Sequence, residues 1–138
     1  MYNLLKLHLK IPPHHSNRKF CRSLPLDILG KAEKMVKDLV QAGIIKECTV
    51  PTQFCASSNF IRKPSGRDLR LITDLRPLNA YSERVGWPFW SAAELQRNIL
   101  PDSRLFWSLD FLSGYFQIPL AEESQELTAF VTPFGKYC

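Results

Sequence analysis

Two stretches of this 138-residue sequence carry residue types whose chemistry goes beyond filling a core. The first is basic: Phe60-Ile61-Arg62-Lys63 runs into the turn Pro64-Ser65-Gly66, passes Arg67, and returns through Leu69-Arg70-Leu71-Ile72. Lysine offers a mobile point charge and arginine a planar fork, and both suit phosphate oxygens. Taken alone, such cations are solvated surface charge. The second is acidic: Asp110 closes the apolar run Leu105-Phe106-Trp107-Ser108-Leu109 and precedes Ser113-Gly114-Tyr115. Read by itself, an aspartate at a strand end caps the next turn. Thiol chemistry is less promising, because Cys21, Cys48, Cys55 and Cys138 form no C-x-x-C pair and no histidine lies at a ligand spacing from them. His14 and His15 adjoin Pro12 and Pro13 in a polar stretch and read as solvated.

The elements that would position these residues follow from periodicity. Leu5, Leu7 and Leu9 alternate with Lys6, His8 and Lys10, which predicts a strand over 1–10, followed by an exposed connector from Pro12 to Pro25. Ile28, Ala32, Met35, Val36, Leu39 and Val40 recur at helical spacing. Asp27 is expected to cap that helix and Gly43 to close it in the left-handed conformation, with Ile44 and Ile45 opening a strand. Phe60 and Ile61, then Leu69, Leu71 and Ile72, flank the Pro-Ser-Gly turn and predict a hairpin with a basic tip. Residues 78–90 read as a turn-rich connection. Ser91 with Glu94 is a capping-box pattern opening a short helix to about Ile99. Leu105 to Asp110 reads as a strand apolar on both faces, Ala121 to Glu126 as an acidic helical turn, and Leu127 to Val131 as a last strand.

Two motifs in register carry a family resemblance. Ser108-Leu109-Asp110-Phe111-Leu112-Ser113-Gly114-Tyr115-Phe116-Gln117-Ile118-Pro119-Leu120, with Glu122-Glu123-Ser124 and Thr128-Ala129-Phe130 after it, resembles the first palm motif of reverse transcriptases of gypsy-like LTR retrotransposons and retroviruses. Upstream, Phe60 to Gly66 and Leu69-Arg70-Leu71-Ile72-Thr73-Asp74-Leu75-Arg76-Pro77-Leu78-Asn79 resemble the fingers hairpin of the same Pol polyproteins. The resemblance implies an α+β fold, the fingers and partial palm of a right-hand polymerase, with an antiparallel hairpin and packed helices. It divides the chain into an N-terminal extension or linker over 1–25, a fingers-like region over 26–90, and the start of a palm over 91–138.

It also implies roles. Nucleotidyl transfer uses two metal ions about 3.5 to 4 Å apart, magnesium being favoured by hard oxygen ligands and phosphates. Asp110 would be a catalytic metal ligand, with the Phe111 backbone carbonyl as a second donor. Lys63 and Arg70 would neutralise the triphosphate of an incoming dNTP. The amides of Ser113 and Gly114 would face its phosphates, and Tyr115 would lie under its sugar and exclude a 2′-hydroxyl. The expected partners are an RNA or DNA template–primer, a dNTP and the remainder of the polymerase domain. Arg62 and Arg67 receive no catalytic role, and Asp74 with Arg76 either pair or help place the template.

The family's aromatic-x-Asp-Asp motif has no counterpart among these residues, so the isolated chain is expected to polymerise little or not at all. An RNA-directed DNA polymerase fragment is the first reading. A nucleic-acid-binding remnant without catalysis, or a fossil with no stable fold, are the competing ones. Eighteen Lys and Arg against 13 Asp and Glu give a net charge of +5, which suits a polyanion. Hydrophobic residues at 45% and charged residues at 22% argue against disorder. No membrane span or signal peptide is read, and the free thiols suit an intracellular setting, cytoplasm or a virus-like particle. A palm sheet short of partner strands is expected to leave an open edge and marginal stability.

Overall fold

The computed structural model describes residues 21, 23–64, 66, 68–82, 86 and 88–138. The strand expected over 1–10, most of the connector after it, His14, His15, Ser65, Arg67 and Trp87 lie outside them. The chain divides into two compact units, Met1–Glu83 with Ile118–Cys138, and Arg84–Gln117.

In the first unit the helical periodicity forms α1, Leu26–Gln41, which buries Ile28, Ala32 and Val36 at four-residue spacing. Its start differs from expectation. Pro25 is the cap residue and no side chain caps the helix; Asp27 lies inside the first turn, where its carboxylate pairs with Arg62. A proline before the helix has no N–H to satisfy, and an aspartate inside the first turn still meets the positive end of the dipole. The C-terminus closes as predicted. Gly43 has φ +67°, its N–H donates to Val40 O at 3.0 Å, and the N–H of Ile44 donates to Leu39 O at 3.0 Å. Those two bonds make a Schellman motif. No strand opens at Ile44; the chain instead makes a single bridge, Glu47 to Tyr137.

The basic hairpin forms as β1, Ala56–Arg62, and β2, Leu69–Thr73, antiparallel in the register Ile61 to Arg70 and Arg62 to Leu69. Ala56, Ser58 and Phe60 point inward by the two-residue alternation of a strand. Residues 76–79, expected partly as loop, form the single turn α2, Arg76–Asn79, with Pro77 near its start.

Later, α4, Glu122–Gln125, and a 3-10 turn over Glu126–Thr128 precede β3, Phe130–Thr132, and β4, Gly135–Tyr137. The strand expected over 127–131 therefore starts later and doubles back. Gly135, at φ +146°, and the Thr132 hydroxyl make the turn: the hydroxyl accepts from Phe134 N–H at 3.1 Å and donates to Gly135 O at 3.1 Å. The four strands form one sheet in the order β2-β1-β3-β4, with β1 and β3 parallel through Ala56 and Ser57 beside Phe130 and Val131. Ile28, Ala32 and Val36 pack with Ile45, Ala56, Phe60, Leu69, Phe130 and Tyr137 into the core.

The second unit is lighter in regular structure. Its helix α3, Ala92–Arg97, carries the full capping box: Ser91 Oγ accepts from the Glu94 N–H at 3.3 Å, and the Ser91 N–H donates to the Glu94 carboxylate at 2.7 Å. The helix ends at Arg97, two residues short of expectation. The strand expected over Leu105 to Asp110 is absent; these residues join no ladder and all are exposed. A strand apolar on both faces is held by neighbours on both, and among the described residues none pairs with it.

Candidate nucleotide-facing residues

Lys63 and Arg70 are brought together. Arg70 sits opposite Ile61, and cross-strand partners share a face. Lys63 follows Ile61 by two residues and extends the pairing, its N–H donating to Asp68 O at 2.8 Å. Both cations therefore stand on the solvent side of the hairpin with Ile61 and Ile72, which are 46% and 41% exposed. Among the described residues neither has a carboxylate partner. Gly66 makes the reversal possible, at φ +69° with its N–H donating to Lys63 O at 2.8 Å.

Two other described cations nearby are engaged. Arg62, on the opposite face, pairs with Asp27 and ties the hairpin to the start of α1. Arg76 grips Asp74 through two side-chain bonds of 2.8 and 3.0 Å. That hydrogen bond, then the charge of Asp74, pushes the guanidinium pKa up. The pairing left open by the sequence is present.

Asp110, Phe111, Ser113, Gly114 and Tyr115 all belong to the second unit. Asp110 and Phe111 are exposed and lie outside any helix or strand, so the carboxylate is not at the end of a paired strand as expected. Ser113 adopts φ +51°, a left-handed conformation that a residue with a Cβ enters only at a cost. Its carbonyl accepts from Phe116 N–H at 2.9 Å, and Gln117 Nε2 donates to Leu112 O at 2.8 Å. These bonds set a tight reversal that leads into a 3-10 turn, Gly114–Gln117, whose Tyr115 is 98% exposed. At Gly114 an added Cβ would meet Phe111 Cβ at 3.2 Å, so the reversal favours glycine. The sequence reading missed that the segments holding Cys48 and Cys138, distant in the chain, pair through their backbones.

Comparison with known proteins places this architecture. No family model matches. The chain is 34% identical over 108 residues, 74% of its length, to the retrovirus-related Pol polyprotein from transposon gypsy of Drosophila melanogaster. It is 30% identical over 115 residues, 83% of its length, to the Gag-Pol polyprotein of Walleye dermal sarcoma virus. Its homologues are retroviral and retrotransposon Pol polyproteins. The chain spans only 10% and 6% of those two relatives. Among solved structures, the protease-reverse transcriptase of Prototype Foamy Virus matches 99% of the chain with a TM-score of 0.72 at 16% identity, covering 18% of that protein. A foamy viral protease-reverse transcriptase in complex with dsDNA matches 95% of the chain with a TM-score of 0.67 at 19% identity, covering 28% of that protein. The Pol-related chain thus has the α+β fold of part of a reverse transcriptase, as its motifs imply.

Proposed function

We propose that this chain is the fingers region and opening palm of an RNA-directed DNA polymerase, divided at about residues 26–90 and 91–138. In a complete enzyme its role is to hold template–primer and the triphosphate of a dNTP. The observation that carries this reading is the shared solvent face of Lys63 and Arg70, two cations without carboxylate partners among the described residues, while Arg62 and Arg76 are neutralised. A phosphate chain laid across that face meets a fork and a point charge together. The Pol relatives and the reverse transcriptase solved with dsDNA support it.

In the same reading the Ser113 and Gly114 amides face phosphate, Tyr115 faces the sugar, and Asp110 with the Phe111 carbonyl offers oxygen to magnesium. The donor set is not complete in these residues. Among those described, no group of three His, Cys, Asp or Glu could hold a metal ion, so Asp110 supplies one carboxylate and other ligands must come from elsewhere. The isolated chain is accordingly proposed to bind without polymerising, in the cytoplasm or a virus-like particle.

The test is primer extension on an RNA template by this chain fused in line to the remaining palm of a gypsy-type Pol polyprotein. Loss of several kcal/mol of metal-borne charge stabilisation corresponds to about 100-fold or more in rate, the expected effect of Asp110→Asn. Extension indifferent to that substitution would overturn the assignment.

A further inference from the structure

The segment after α1 lies antiparallel to β4. Lys46 and Cys138 exchange both backbone hydrogen bonds, at 2.8 and 2.9 Å, the N–H of Cys48 donates to Lys136 O at 2.9 Å, and Glu47 bridges to Tyr137 between them. Opposed residues of an antiparallel pair share a face, and residues two apart return to it. Cys48, opposite Lys136, and Cys138, opposite Lys46, are therefore diagonal neighbours on one face, within side-chain reach. Cys48 is a near enough neighbour of the Cys138 thiol to help raise its pKa, after burial. Cys48 Sγ itself donates to Val50 O at 3.8 Å. Cys55 feels the charges of Lys136 and Cys48, but no hydrogen bond joins Cys48 and Cys55 among the described residues. No disulfide is present, and no cluster of three ligands among the described residues turns these thiols toward a metal.

We propose that Cys48 and Cys138 are a redox site, two thiols that close into a reversible disulfide and clasp the segment after α1 to β4. With hydrogen peroxide as oxidant, one thiol sulfur attacks a peroxide oxygen, the O–O bond breaks, and a sulfenic acid and water result. The second sulfur then attacks the first, the S–S bond forms, the S–O bond breaks, and a second water leaves. Two thiols lose two electrons and two protons, and one peroxide becomes two waters. Burial is the main cause that pushes the Cys138 thiol up, ahead of the neighbouring Cys48. It therefore stays protonated at neutral pH, and the thiolate that reacts is scarce.

The experiment exposes the folded 138-residue chain to hydrogen peroxide, blocks residual thiols by alkylation, and maps peptides without reduction. The expected result is a loss of two hydrogens in mass and one linked peptide joining Cys48 to Cys138, reopened by dithiothreitol. Its yield should be several-fold above that from chain oxidised in guanidinium, and unchanged in Cys55→Ser. The half-exposed Cys138→Ser variant should abolish the link while keeping the melting midpoint of the reduced protein. A Cys48–Cys55 link, cross-links between copies, or sulfinic acid without any link would each overturn the proposal, and none of these readings on the wild-type chain depends on a variant folding.

Discussion

Arg62 and Arg70 stand on paired strands of one hairpin, yet among the described residues Arg62 is tied to a carboxylate and Arg70 is not. In the proposed function that difference separates structural from binding charge. Removing Lys63 or Arg70 should leave stability within about 0.5 kcal/mol, the usual range for exposed positions, while weakening nucleic-acid binding. Arg62→Ala should instead cost stability by up to about 1 kcal/mol, as an exposed ion pair does, read from urea midpoints. Glu94 gives a pH test. The Ser91 hydroxyl and then its backbone N–H hold the Glu94 carboxyl below its ordinary 4.5. A depressed acid stabilises the folded state fully above 4.5 and loses that contribution as pH falls through the lowered value. The carboxyl chemical shift should titrate below 4.5, and Ser91→Ala should bring it back. A wild-type midpoint at or above 4.5 would contradict the capping box.

Elements fixed by short-range signals were readable before the fold was known. The stripe Ile28-Ala32-Val36 gave α1, Gly43 gave its end, Ser91 with Glu94 gave α3, and Pro64-Ser65-Gly66 gave the hairpin. Two variants probe this scale. Gly43→Ala meets no neighbour within 4 Å, so its cost is backbone strain alone, about 1 kcal/mol. Val36→Ala, emptying a side chain only 2% exposed, should cost about 2 to 3 kcal/mol. Equal losses in denaturant melts would mean that the helix end is strained beyond its φ. Long-range pairing was not readable. Nothing local says that Ala56 lies beside Phe130, or that Lys46 pairs with Cys138. The apolar run before Asp110 carries the sequence pattern of a strand, but a strand exists only with a partner, and periodicity does not supply one. Of the candidate site, the hairpin cations were legible because a turn fixes their register; the setting of Asp110 was not.

At the scale of the whole molecule, the sheet, α1 and the core they share account for the first unit, whereas Leu105, Trp107, Leu109 and Leu112 are each more than 80% exposed in the second. Contiguous apolar surface of this kind drives association, and backbone outside any ladder adds strand-pairing capacity. Leu105→Lys with Leu109→Lys should raise the concentration at which the chain self-associates, measured by sedimentation, with little change in the melting midpoint. A net charge of +5 spread across the same molecule suits a polyanion. The central claim, that the basic hairpin is a phosphate-binding face, is tested most directly by the salt dependence of template–primer binding, followed by fluorescence anisotropy on the wild type and on Lys63→Ala with Arg70→Ala. Each lost phosphate contact lowers the slope of log affinity against log salt by about 1, so the double variant should bind more weakly with a slope shallower by about 2. An unchanged slope would place the nucleic acid elsewhere and contradict the account.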